Sequence, residues 1–149
     1  MGATPLKIQY HKLNEFAKEP TKGSNLAAGY DLYAGISEFT EIVPGETLKV
    51  TTGLSMEIPE GFFGGIFARS GLSINKGLRP ANCVGVIDAD YRGEIIVALH
   101  NDSNETWMIE PQMRIAQLIL LPYSDIEFEV TGALTPTDRG DGGFGSTGQ

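Results

Sequence analysis

Thr47-Leu48-Lys49-Val50-Thr51 and Leu54-Ser55-Met56-Glu57-Ile58 decide the fold class. In each, polar and apolar residues alternate, so one set of side chains faces an interior and the other faces water, as in a half-buried strand. Outward from this pair the strand period recurs. Phe62 to Phe67, Glu94 to Leu99 and Arg114 to Leu121 read as short buried strands, and Glu127-Phe128-Glu129-Val130 as a last alternating piece. Turn formers fall between them: Val43-Pro44-Gly45-Glu46, Pro59-Glu60-Gly61, Asp90-Tyr91-Arg92-Gly93 and Asn101-Asp102-Ser103-Asn104. A helical turn or two fits only within Ser70 to Lys76, with Ser70 as a cap and Gly77 as the stop. Short strands at close spacing, punctuated by Gly and Pro, predict an all-β sandwich or barrel with at most one short helix.

The 149 residues suit one domain. Residues 1–134 carry the strand pattern. Residues 135–149 form a polar, glycine-rich tail, expected to be flexible unless something holds it. Nineteen acidic against eleven basic residues give a net charge of −8, which argues against a coat for nucleic acid, because counterion release needs a basic surface. The richest apolar run, Ile115 to Leu121, is too short for a membrane span and is interrupted by Gln117. The first residues, Met1 to Lys7, lack the apolar core of a secretory signal, so a cytoplasmic protein is expected. Cys83 is the single cysteine, and with His11 and His100 it offers no zinc spacing. No P-loop, nucleophile elbow, H-E-x-x-H or calcium-loop pattern occurs.

Three segments can carry chemistry. In Gly85-Val86-Ile87-Asp88-Ala89-Asp90-Tyr91-Arg92-Gly93, Asp90 to Gly93 has the composition of a type I turn, with Asp90 bonding its own backbone. Asp88 is then left over. A partly desolvated carboxylate at the mouth of a hairpin would serve as a general base or orient water, and a second turn former is the alternative. Tyr91 could stack on a ring or cover the hairpin. In Ala68-Arg69-Ser70-Gly71-Leu72, an Arg, a hydroxyl and the amides of an opening helical turn suit a phosphate, against the plainer reading of a capping Ser beside a surface Arg. The third segment is the tail, Arg139 to Gly148. It contains G-x-G-x-x-G but has no room for a following helix, so it is no dinucleotide fingerprint. It remains either an anion-wrapping segment or a loose terminus. Five of six lysines precede residue 50, whereas every arginine lies at or beyond Arg69; Arg69, Arg92 and Arg139 lie in these segments and Arg114 opens the run to Leu121. Arg suits bidentate phosphate recognition.

Taken together, Ala27-Ala28-Gly29-Tyr30-Asp31-Leu32, Arg69-Ser70-Gly71-Leu72, Gly85 to Gly93, Arg114-Ile115-Ala116-Gln117-Leu118 and Arg139 to Gly148 resemble the five ordered motifs of the trimeric dUTPase family. The likeness runs from about Ala27 to Gly148. It implies a β jelly roll, a homotrimer with active sites at subunit interfaces, and hydrolysis of dUTP to dUMP and pyrophosphate with Mg²⁺. That reaction keeps uracil out of DNA and supplies dUMP. By the family pattern, Asp88 is the base that activates water, and Tyr91 packs under the deoxyribose. Asn82, Val86, Ile87 and Ile96 belong to the hairpin that reads uracil. Arg69, Ser70, Gly71 and Gln117 match phosphate-contacting positions. Arg139, Phe144, Gly145, Ser146 and Thr147 match the closing tail, with Phe144 over uracil and Arg139 at the γ-phosphate. Asp31 corresponds to a carboxylate that reaches the metal through water. The nearest rival is dCTP deaminase, which shares the jelly roll but resembles this chain less around Asp88-Ala89-Asp90-Tyr91 and in the tail. A nucleotide sensor that keeps the fold without turnover is the second rival.

Overall fold

The computed structural model describes residues 4–145 and 148. Among them the chain forms twelve strands and one helix: β1 (Gln9–Lys12), β2 (Thr21–Lys22), β3 (Tyr30–Tyr33), β4 (Thr40–Ile42), β5 (Thr47–Thr51), β6 (Leu54–Glu57), β7 (Phe62–Phe67), α1 (Ser70–Lys76), β8 (Leu78–Pro80), β9 (Gly85–Ile87), β10 (Ile96–Asn101), β11 (Trp107–Ile109) and β12 (Arg114–Pro122). Every pairing is antiparallel. The largest sheet runs β2-β3-β12-β7-β9, a second runs β5-β10-β8, and β1-β6 and β11-β4 are two-stranded ribbons.

Alternation explains the packing. Val50 and Leu48 of β5 stand opposite Val97 and Leu99 of β10, and the apolar face they make turns inward while Thr47 and Lys49 stay in water. Leu32, Ile42, Leu78, Ile95, Ile109 and Ile115 join them as fully enclosed side chains. Sheets wrapped around one apolar interior give the all-β fold that the pattern predicts, as the jelly roll that the resemblance implies. Two polar residues are as buried as the core. Asn101 donates to Ile42 O at 3.0 Å and Glu105 O at 2.8 Å, and accepts from Ser103 N and Oγ. Thr52 donates to Ile95 O at 2.6 Å. A buried amide is tolerated because all its groups are paired.

The structure corrects four local readings. The strand expected over Glu94 to Leu99 begins at Ile96 and runs to Asn101, because Ile95 bonds outside the ladder, to Thr52 and Leu54, and the Glu94 carboxylate accepts from Thr51. Glu127 to Val130 forms no strand and pairs with none in this chain, and Phe128 and Val130 are 90% and 97% exposed. Arg69, not Ser70, is the residue that precedes the helix, in extended backbone and without a side-chain cap. The reversal expected at Asp90 to Gly93 lies at 88–91, closed by Tyr91 N to Asp88 O, and Asp90 does not bond its own backbone. Gly77 stops α1 as expected, with a left-handed φ of 68°. No helix among the described residues is long and apolar enough to cross a membrane.

Candidate functional site

β12 lies between β3 and β7, and Asp31, Gln117 and Phe67 are opposed in the ladder, so their side chains share one face. β7 ends at Phe67, and Ala68 and Arg69 lead into α1 directly beside that face. Arg69 Nε donates to Asp31 Oδ1 at 2.9 Å, and Arg114 Nη1 stands 3.7 Å from Asp31 Oδ2. The Asp31 carboxylate is only 14% exposed. Gln117 Nε2 donates to Ala68 O at 2.9 Å and so ties the middle of the sheet to the residue before Arg69. Ser70 and Gly71 follow and are open to solvent. Asp31, Arg69, Ser70, Gly71 and Gln117 therefore meet at one end of the sheet, as their motifs imply.

Arg114 is one of the arginines that the sequence marks as suited to phosphate, but its place beside Asp31 was not expected. On a regular strand, residues three apart point to opposite faces, which would separate Arg114 from Gln117. A register shift between Arg114 and Ala116 places Arg114 opposite Tyr33 and Gln117 opposite Asp31, and this bulge turns both side chains to the Asp31 face.

The second cluster lies at the connection from β9 to β10, which crosses from the large sheet to the three-stranded one. A pocket of about 270 Å³ opens there, lined by Asn82, Val86, Ile87, Asp88, Tyr91 and Ile96 together with Glu94. Six of the expected site residues thus line one pocket. β9 is the last strand of its sheet, so its outer backbone edge pairs with no other strand. Gly85 lets the chain double back: a Cβ there would meet Ile66 Cβ at 3.0 Å and Asn82 Nδ2 at 3.3 Å. Arg79 braces the loop below. It bonds Pro80 O at 3.1 Å, Ala81 O at 3.5 Å and the carboxylate of Asp102, whose pKa is lowered chiefly by that hydrogen bond.

Tyr91 forms part of the pocket wall, and its hydroxyl donates to Glu94 O at 2.8 Å. The phenol leaves no room for a side chain at Gly93, where a Cβ would come 2.4 Å from Tyr91 Oη. The arc 91–94 is closed by the tyrosine side chain, and the backbone reversal precedes it at 88–91. Glu94 carried no signal in the sequence as a wall residue. Its carboxylate is held by Thr51 Oγ1 at 2.5 Å. Asp88 was expected to be partly desolvated. It is exposed, because the hairpin stands clear between this pocket and a broader hollow of about 990 Å³ that also contains Asp90, Arg92 and Tyr123.

The two clusters are separate: Asp31, Arg69, Ser70, Gly71 and Gln117 do not line the pocket beside β9. Arg92 turns to Ala89 O and toward Glu57. In the tail, Arg139 Nε donates to Gly142 O at 2.8 Å, Phe144 is wholly exposed with φ 50°, and Gly145 has φ 83°. Ser146 and Thr147 lie outside the described residues. Among the described residues, no three His, Cys, Asp or Glu side chains converge as metal ligands.

The expected hairpin is thus an open connection between two sheets, since β9 and β10 do not pair, and fold and site together define a jelly-roll protein that offers a bare strand edge and a tyrosine at that connection, and a carboxylate between two arginines on the large sheet. The dUTPase family model matches residues 15–148. The deoxyuridine 5'-triphosphate nucleotidohydrolases of Desulfitobacterium hafniense (strain DSM 10664 / DCB-2) and Rickettsia felis are each 44% identical over 149 residues, covering 99% of both chains. Among solved structures, the dUTPase of Staphylococcus bacteriophage 80alpha with dUPNHPP superposes with a TM-score of 0.87 at 28% identity, over 96% of this chain and 99% of that one. The chain belongs to the dUTPase family.

Proposed function

We propose that this protein hydrolyses dUTP to dUMP and pyrophosphate, with Asp88 as the base. Its carboxylate takes a proton from water, the water oxygen bonds the α-phosphorus, and the bond from that phosphorus to the bridging oxygen breaks, releasing pyrophosphate. The observation that carries this reading is the pocket at the β9–β10 connection, which Asn82, Val86, Ile87, Asp88, Tyr91 and Ile96 line together. The bare outer edge of β9 supplies backbone donors and acceptors for the uracil edge. A base with a donor at the wrong position leaves them unpaired and is disfavoured. Tyr91, fixed by Glu94 O, supports the deoxyribose, where a 2′-hydroxyl would collide.

Arg69, Ser70, Gly71 and Gln117 take the phosphates, and Arg139 the γ-phosphate. Phe144 covers the uracil, with Gly145, Ser146 and Thr147 completing the tail around the nucleotide. The hairpin and the arginine cluster are separate within one chain, and Ile126, Phe128, Val130 and Leu134 are left 71–97% exposed beyond β12. Both facts support a homotrimer in which neighbouring subunits complete each site and cover that segment.

Mg²⁺ fits as an ion brought on the triphosphate, since Asp31 is a partly buried carboxylate beside the arginines and, among the described residues, no cluster of acids stands with it. Asp31 would hold it through water, and the ion would supply charge neutralisation on the phosphates. The reading places the enzyme in the cytoplasm, where deoxynucleotides are made. Asp88→Asn tests the base. Turnover of dUTP should fall by about 10²–10⁴-fold, with calorimetric binding of dUTP and trimer mass retained. Near-parental turnover refutes the role.

A further inference from the structure

We infer that Gly29 is a positioning residue: its missing side chain is what lets the Gln117 carboxamide stand between β3 and the turn that carries Arg69. The inference rests on the reading of the chain as a dUTP hydrolase and adds a residue to it. Gly29 does not need to be glycine for its backbone, because its φ lies outside the left-handed region that marks Gly45, Gly53, Gly61 and Gly77. The requirement is space. A Cβ at position 29 would stand 2.1 Å from Gln117 Oε1, 2.9 Å from Cδ and 3.2 Å from Cβ.

The other end of the same carboxamide is fastened, with Nε2 donating to Ala68 O at 2.9 Å. Gln117 is thus clamped between Gly29 and Ala68. With Nε2 on the carbonyl, Oε1 faces the bare Cα of Gly29. A methyl group there cannot be met by a small adjustment, because the overlap at Oε1 approaches 1 Å even against the 3.0 Å limit of ordinary contacts. The cheapest escape is rotation of the flexible Gln117 side chain, since its far end is what the methyl meets first. The strands are left in place. The cost is the bond to Ala68 O and the carboxamide position beside Asp31 and Arg69.

A residue that acts only by packing and one that acts through Gln117 differ in a double-mutant cycle. Gly29→Ala should lower kcat for dUTP by about 10–100-fold, the scale of a misplacement near 1 Å, with Tm within about 5 °C of the parent. Gln117→Ala should lower kcat as well, and adding Gly29→Ala to it should cost nothing further. An equal kcat penalty from Gly29→Ala in both backgrounds, or none in the parent, overturns the inference. A second readout does not depend on turnover. In ¹H–¹⁵N spectra the Gln117 side-chain amide should be protected from exchange in the parent and solvent-like in Gly29→Ala. Unchanged Gln117 resonances in Gly29→Ala overturn the inference even if the protein proves inactive on dUTP, whereas parental inactivity with the expected spectral change refutes only the hydrolase reading.

Discussion

Removing the Asp31 carboxylate tests how the arginines are held. Asp31 accepts a charge-assisted bond from Arg69 Nε at 2.9 Å, with side-chain exposures of 14% and 26%. Such bonds contribute about 1.5–3 kcal/mol net where solvent is largely excluded. Arg114, at 3.7 Å and 53% exposed, is screened and adds about 0.2–1 kcal/mol. Asp31→Ala should therefore destabilise by about 2–3 kcal/mol, after discounting for the remaining solvent. Asp31→Asn keeps an oxygen for Arg69 Nε and loses the charge, so about 1–1.5 kcal/mol should go, the difference between a charged and a neutral bond. For a chain of this length each kcal/mol shifts Tm by about 2–4 °C. Urea denaturation at one fixed protomer concentration keeps any assembly contribution constant. With Arg69 no longer held, KM for dUTP should rise in both variants, more in the alanine. Equal stability losses in the two variants would show that the charge is irrelevant. Parental stability and KM in both would refute the claim that Asp31 positions Arg69.

Asn101→Ala should cost about 2–4 kcal/mol in urea unfolding, because its four side-chain hydrogen bonds lie in a fully buried setting at Ile42 and a partly wet one at Glu105 and Ser103. A loss below about 1 kcal/mol would show that water replaces the amide. Deleting residues 135–149 should leave the circular dichroism spectrum and assembly intact and collapse kcat for dUTP. A fully active truncation would show that the tail does not close the site.

The strands of the core were legible because Thr47 to Thr51 and Leu54 to Ile58 alternate over enough residues to fix a period and sit in ladders closed within the chain. Glu127 to Val130 alternates as clearly and is no strand, because a period reports a face to bury and not the presence of a partner edge. β2, β4, β8, β9 and β11, with two or three residues each, are too short to show a period at all. The hairpin residues could be named from their motif, but not the turn: Asp88 and Asp90 both suit a first turn position, and only the structure, with Tyr91 N on Asp88 O, selects between them. Arg114 was out of reach for a different reason. Its place beside Asp31 depends on a bulge that residue spacing does not encode. Gly29 was visible as part of a motif, while its use, clearance for Gln117, exists only across strands.

The central claim is specific hydrolysis of dUTP, and the most direct measurement is pyrophosphate release from dUTP, dCTP, dTTP and UTP, each with and without Mg²⁺. The account predicts rapid release from dUTP, stimulated by Mg²⁺, and at least about 100-fold less from the other three, since dCTP leaves a backbone polar group of β9 unpaired, UTP meets Tyr91 with its 2′-hydroxyl, and dTTP brings a methyl group that the pocket beside β9 must find room for. Equal release from all four, none from dUTP, or ammonia from dCTP would contradict it.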